Sequence, residues 1–219
     1  PTDAAYIHAD YSNNIQPNSK IKTQSQWSNR DGISICNIIS RWNNAGTKEC
    51  SHNYLSSDPK HDWPMAAYCI ESHIANLQSI FRNEMDRDLN CVYAYSDRGE
   101  FSASGFLVAL GIIKQRLRLP HLIWTSTCPE HGKCKCDSEG NLIKCCSRME
   151  VNAGDIEYNP AEEPYDVSII RHFNQKLSSD NYTRRYFFSI DKDAVVHIKQ
   201  NKLCSTMTNI TKYYCFRIE

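Results

Sequence analysis

The sequence has no stretch long enough to cross a membrane and no excess of charge of either sign. Its longest apolar run, Phe106–Ile113, is far shorter than the roughly 20 residues that a membrane helix needs. Lys and Arg number 25, and Asp and Glu also number 25, so the formal net charge is zero. We therefore expect no membrane span, and the bulk charge gives no reason to expect nucleic acid as a partner.

Internal repeats and low-complexity segments are absent as well. The 219 residues are 41% hydrophobic and 23% charged, which is ordinary for a globular chain. A chain of this length can bury a substantial core. We predict a single domain over residues 1–219.

Cysteine, by contrast, is abundant. The 11 cysteines leave at least one thiol unpaired, because their number is odd. Six side chains that can bind a metal are close together in the sequence: Cys128, His131, Cys134, Cys136, Cys145 and Cys146. Four of them could hold zinc in a tetrahedral site. The lack of any C-x-x-C spacing favours a small disulfide knot instead, and we expect no cofactor apart from this possible zinc.

Two N-glycosylation sequons occur in the last fifth of the chain, Asn181-Tyr-Thr and Asn209-Ile-Thr. Glycosylation and stable disulfides both belong to the secretory pathway. We therefore expect a secreted protein, with a cytoplasmic location as the alternative.

The first half of the chain shows strand and helix patterns. "AAYIHADY" and "ISICNIIS" are typical of strands. Asp62 is suited to cap a helix, and Pro64 fits the first turn of that helix. Apolar residues at spacings of three and four continue the helix to about Met85.

The second half mixes the same two element types. "CVYAYS" predicts a strand, followed by a helix that ends before Pro120, and "HLIWTST" predicts a further strand or an extended loop. A third helix is predicted over 165–177, and "RRYFFSI" with "AVVHIKQ" predicts a hairpin. The mixture indicates an α/β fold: a compact domain with a central mixed sheet flanked by helices, and a cysteine-rich insertion at 119–160.

The turn after "CVYAYS" is a candidate binding site. It follows the carboxyl end of a strand and precedes a helix, where α/β folds place their sites. Its backbone N–H groups and the N-terminus of the helix could together bind an anion. The candidate residues of this anion-binding loop are Ser96, Asp97, Arg98, Gly99 and Ser102.

Seven short motifs along the chain follow a recognisable order. They are "YIHADY", "IKTQ", "GTKEC", "WPM", "YSDRGEFSASG", "YDVSII" and "YTRRYFFSI". This order resembles that of the protein tyrosine phosphatase family, in which "YINA", "ATQGP", "KCxxYWP", the WPD loop, "HCxxGxxR[ST]G", "VDV" and a Gln-containing loop with "QYxF" succeed one another. The resemblance covers most of residues 6–190 outside 119–160 and implies a phosphatase-type α/β domain.

Three positions depart from the family in the residues that do the chemistry. Ser96 stands where the family has its cysteine nucleophile. Ser102 stands where the family has the arginine that binds the phosphate. Met65 stands where an aspartate protonates the leaving group. The resemblance therefore implies a catalytically inactive, tyrosine-phosphatase-like protein that acts by binding another protein. The family's phosphotyrosine-recognition segment has no counterpart before "YIHADY", so phosphotyrosine is not expected as a ligand.

A second function comes from the predicted hairpin. Its alternation places Arg185, His197 and Lys199 on one face, where a small secreted toxin or nuclease could bind and cut RNA. A half-solvated β face has the same pattern, so nucleic acid is not the expected partner.

Overall fold

The computed structural model of this protein describes residues 2–15, 32–58, 60–96, 99–126, 135–153, 165–176, 184–200 and 215–218. Its centre is one sheet of seven strands. In chain order they are β1 (Ala4–Ile15), β2 (Ile33–Asn43), β3 (Thr47–Ser56), β4 (Cys91–Ser96), β5 (His121–Ser126), β6 (Arg184–Ser189) and β7 (Cys215–Ile218). Across the sheet the order is β6-β3-β2-β1-β4-β5-β7.

The sheet is mixed in direction. β1, β4 and β5 run parallel to one another, and β3 runs parallel to β6. β2 is antiparallel to both of its neighbours, and β7 is antiparallel to β5. β2 and β3 are therefore added in turn on one side of β1, and β4 pairs with the other side of β1.

Within the described ranges, five helices flank this sheet: α1 (Trp63–Met85), α2 (Ser104–Arg116), α3 (Lys135–Ala153), α4 (Tyr165–Lys176) and α5 (Lys192–Gln200). The predicted α/β class with a central mixed sheet flanked by helices is thus confirmed. The start of α1 is also as predicted, because the Asp62 carboxylate accepts the Met65 N–H at 3.2 Å. No helix within the described ranges is long and apolar enough to span a bilayer.

The two faces of the sheet are covered differently. On one face the inward residues of β1, Ala5, Ile7 and Ala9, join a large core with α1, α2 and α5. On the other face, α3 and α4 pack against β1, β2, β3 and β6. They form a smaller core that includes Ile35 and Phe187. Helical cover on this second face is concentrated on the β6-β3-β2-β1 side of the sheet.

The structure differs from the sequence-based expectations in two places. Residues 192–200 form α5, so the predicted hairpin is wrong in its second strand. The segment 119–160, expected as an insertion, supplies β5 to the sheet, and the Trp124 side chain of β5 is fully buried. It also supplies α3, in which Cys136 is buried. Cysteine packs as a small apolar residue, so a cysteine-rich composition does not by itself indicate a peripheral loop.

Candidate functional site

The predicted anion-binding loop lies only partly within the described residues. Ser96 is the last residue of β4 and its side chain is fully buried, while Asp97 and Arg98 lie outside the described residues. Gly99 adopts a φ of 94°, a conformation that glycine tolerates and other residues rarely adopt. A single 3-10 turn, Glu100–Ser102, follows, and the Ser102 hydroxyl donates to the Gly99 carbonyl oxygen at 3.0 Å. This contact directs the Ser102 hydroxyl back to its own turn.

Met65, which the motif resemblance predicted at the place of a general acid, lies in the first turn of α1. Its side chain is 3% exposed, and its sulfur lies 3.7 Å from the Ser34 hydroxyl, which donates to it. The "WPM" segment is therefore the capped start of a long helix. Met65 contributes to the core at this point.

The Cys/His cluster is only partly within the described residues, because Cys128, His131 and Cys134 lie outside them. Residues 135–153, which contain Cys136, Cys145 and Cys146, form a helix, and the disulfide knot stays a prediction. On this helix the Cys136 thiol donates to the His8 carbonyl oxygen at 3.4 Å, and Cys145 is exposed. Among the residues that the structure describes, no two cysteines form a disulfide and no group of three metal-binding side chains converges.

The predicted basic face does not form. Arg185 on β6 donates from Nε to the Glu139 carboxylate at 2.8 Å, and both side chains are largely buried. His197 and Lys199 lie on α5, and Lys199 Nζ lies 3.8 Å from a carboxylate oxygen of Asp62. The pairing of Arg185 neutralises its charge, so the three residues do not form a shared catalytic surface. The two sequons, Asn181 and Asn209, lie outside the described residues.

A serine–histidine contact lies in the core. The Ser40 hydroxyl is hydrogen-bonded to His73 Nε2, and the His52 ring meets the His73 ring edge-on at a centroid distance of 4.4 Å. All three side chains are buried. Burial lowers the pKa of His52 to about 3 and holds the pKa of His73 well below its usual value. The pairing is that of a nucleophile and its base, but its burial excludes substrate, so we assign it a structural role.

Aromatic side chains of β1 and β4 are exposed to solvent on the side of these strands that faces away from α1 and α2. Here the Tyr6 and Tyr93 rings stack at a centroid distance of 5.3 Å, and the His8 and Tyr95 rings stack at 4.1 Å. Tyr6 is 51% exposed and Tyr95 is 41% exposed. We call these four residues, together with Arg41, the open face. Sequence reasoning missed it, although the alternation in "YIHADY" and "CVYAYS" carried the signal.

The register of the sheet arranges these side chains in rows. Tyr6 pairs with Arg41 of β2 on one side and with Tyr93 of β4 on the other. Beyond Tyr93 the row continues through Ile123 of β5 to the exposed Arg217 of β7. Directly paired residues project from the same face of a sheet. Two stacked tyrosines therefore lie between two arginines that are separated by four strand spacings, or about 19 Å.

A cleft of about 710 Å³ adjoins the open face, within the range of roughly 300–1,000 Å³ of ligand clefts. It is lined by Tyr6 and His8 of β1, by residues of β2 that include Arg41, and by Lys135 at the start of α3. Glu49 holds both cations at this cleft: it accepts from Arg41 Nε at 2.7 Å and is paired with Lys135. The Asp137 carboxylate also acts on His8, so the two cations at this cleft are matched by two carboxylates.

His8 is neutral at physiological pH. Burial of its ring lowers the pKa of His8 to about 4, with Arg41 lowering it further and Asp137 opposing the shift. A neutral imidazole against the Tyr95 ring is a flat, uncharged stacking surface. The open face therefore combines uncharged rings with one guanidinium group, that of Arg41, which is paired with Glu49.

Comparison with known proteins assigns no family to this chain. No protein-family model matches it, and no curated protein matches it. Among solved structures, the MID-PIWI domains of N. crassa QDE-2 AGO align over 95% of this chain and 57% of that chain, with 10% sequence identity and a TM-score of 0.32. The chain thus spans less than two thirds of that structure, and this likeness assigns neither a family nor a function.

Proposed function

We propose that this chain is a binding protein without phosphatase activity, and that it binds through the open face. The observation that carries the proposal is the burial of the Ser96 side chain, which keeps its hydroxyl from attacking a phosphorus atom. The Ser102 hydroxyl is bonded within its own turn, and Met65 has no proton to donate. The expectation of a protein as the partner stays a prediction.

The composition of the open face supports a binding role. Tyrosine and arginine are the residue types that contribute most to binding energy at interfaces, because they combine a large contact area with hydrogen-bonding groups. Here they are held on paired strands of a sheet, so little conformational entropy is lost when a ligand binds.

Hydrolysis of p-nitrophenyl phosphate tests the absence of phosphatase activity. We expect no turnover above buffer for the wild-type protein, and no change for Ser96→Ala or for Ser102→Ala. The two serines serve as matched controls, because one is buried and the other is at the surface of the turn. Turnover that Ser96→Ala abolishes would contradict the proposal.

A further inference from the structure

We propose that the outer edge of β6 is a pairing surface for a second copy of this chain, and that Asn174 keeps this edge closed. β6 is the last strand on one side of the sheet. One of its two backbone edges pairs with β3, and among the described residues no strand lies beside the other. This surface lies apart from the open face, so its role is independent of the proposed function.

The side chain of Asn174, on α4, occupies the outer edge of β6. Its Nδ2 donates to the Phe187 carbonyl oxygen at 3.1 Å, and its Oδ1 accepts from the Phe187 N–H at 3.2 Å. In an antiparallel sheet, two directly opposed residues exchange the same two bonds at every second position. The carboxamide of Asn174 therefore takes the place of the backbone groups that an antiparallel strand would offer.

The direction of the other backbone groups of β6 follows from the alternation of a strand. The N–H and C=O of one residue point to the same edge, and consecutive residues alternate between the two edges. The Ile190 N–H donates to the Leu55 carbonyl oxygen of β3 at 3.0 Å, so the even-numbered residues face β3. Phe187 and Ser189 then face outward, where another strand can pair.

A second copy of β6 fits this edge. Antiparallel pairing about a twofold axis at Phe187 places the two copies of that residue opposite each other, and they exchange the two bonds that the carboxamide makes. Arg185 then lies opposite Ser189 of the second copy, so the arginine meets a hydroxyl rather than a like charge. Tyr186 lies opposite Phe188 of the second copy, which gives a favourable aromatic pair across the strands.

Asn174 competes with this pairing for the same backbone groups. The unpaired edge of a strand is a template for another chain, and native proteins protect such edges. The bonds of Asn174 form within one molecule, whereas association of two copies costs translational and rotational freedom. We therefore expect the wild-type protein to be a monomer whose β6 edge pairs only when Asn174 is removed.

Sedimentation equilibrium tests this role, over about 1 to 100 µM protein, where weak association becomes measurable. We expect the monomer mass for the wild-type protein and twice that mass for Asn174→Ala, with a cooperative urea transition as evidence that the variant is folded. Asn174→Asp still accepts from the Phe187 N–H but adds a negative charge to the edge of each copy, so it should stay monomeric. The matched control is Gln175→Ala, at the next and equally exposed position of α4, which should also stay monomeric.

A further variant and a peptide locate the interface on β6. Ser189→Pro removes an N–H that points to the outer edge, a position at which proline is tolerated. Added to Asn174→Ala, it should therefore restore the monomer mass. A peptide with the sequence RRYFFS, residues 184–189, should lower the dimer fraction of Asn174→Ala, because it competes for the same edge.

Hydrogen exchange of the wild-type protein gives a test that needs no variant. The Phe187 amide is bonded to Asn174, so it should exchange at least about 10-fold more slowly than the outward-facing amide of Ser189. Equal exchange of the two amides would overturn the proposal, and this comparison decides the matter if Asn174→Ala does not fold.

Four results of the association measurements would also overturn it. They are a dimeric wild-type protein, a folded Asn174→Ala that stays monomeric, an Asn174→Ala dimer that persists when Ser189→Pro is added, and a monomeric Asn174→Ala that binds the peptide. In the last case the edge would accept a strand of another chain rather than a second copy.

Discussion

Histidines lie beside aromatic rings on both faces of the sheet, and the two groups differ in how completely they are buried. His52 and His73 lie where β3 is covered by α1, with His52 against Tyr186 and Phe188. His8 lies on the open face, where it stacks on the exposed ring of Tyr95. The residue types are alike, so the difference in role comes from what covers each strand. Covered rings stabilise the fold, and uncovered rings are available to a ligand.

The largest expected contrast between the two faces is in stability. Trp124 on β5 is fully buried against Phe101 and Phe106, so Trp124→Ala should lower the free energy of unfolding by about 3–5 kcal/mol. Tyr95→Ala, on the open face, should lower it by less than about 1 kcal/mol, because that side chain is already 41% exposed. Urea unfolding of both variants measures the contrast. Equal losses would mean that the open face is part of the core.

The next prediction concerns the response of the covered face to acid. The pKa of His52 is about 3 in the folded protein against about 6.5 when unfolded, so below pH 6.5 the unfolded state binds more protons. Stability therefore falls as the pH falls from about 6.5 toward 3, and His52 alone contributes a loss of about 2 kcal/mol between pH 8 and pH 5.

His52→Phe isolates this contribution. Neither ring nitrogen of His52 has a hydrogen-bond partner among the described residues, so a phenyl ring of similar size can replace it among the surrounding aromatics. We expect unfolding free energies that depend less on pH in the variant, by about 2 kcal/mol over the same interval. A pH dependence identical to that of the wild-type protein would show that His52 is accessible to protons in the folded state.

The last contrast tests how tightly the covered face is packed. A Cβ atom at Gly105 would lie 2.6 Å from the Trp63 ring, so Gly105→Ala should destabilise the protein by about 1–3 kcal/mol. Among the described residues, a Cβ atom at Gly111 on the same helix would meet only the Ile218 side chain, at 4.0 Å. Gly111→Ala should therefore be neutral or stabilise by up to about 1 kcal/mol, because alanine favours the helix. Thermal unfolding of the pair measures the difference, and a stabilised Gly105→Ala would indicate loose packing between α1 and α2.

Local patterns were sufficient for the first three predicted strands and for the cap of α1. Asp62 and Pro64 identify the start of that helix because a cap and an N-terminal proline act through bonds to near neighbours. The prediction of a hairpin over 184–200 failed for the opposite reason. "AVVHIKQ" has β-branched residues that favour a strand, yet Val195 and Ile198 pack against the large core from a helix, and tertiary packing outweighs a weak local preference.

The candidate site could be identified only from the tertiary structure. The motif order predicted a site in the loop after β4, but there Ser96 is buried and the Ser102 hydroxyl is hydrogen-bonded within its own turn. The stacked rings of the open face come instead from β1 and β4, which are separated in sequence by two strands and a helix. Their pairing depends on a parallel register that no local pattern specifies.

The sequence by itself determined the α/β composition, the first helix and the alternation of side chains along each strand, because these depend on neighbours a few residues away. It also determined that Tyr6 and His8 share one side of their strand, since side chains alternate with a period of two. Only the tertiary structure decided which side of β1 and β4 stays exposed. It also decided that Arg41 and Arg217 lie at the two ends of one row of paired residues. The reason is that strand order and helix cover arise from long-range packing, in which residues far apart in the chain bury apolar surface together.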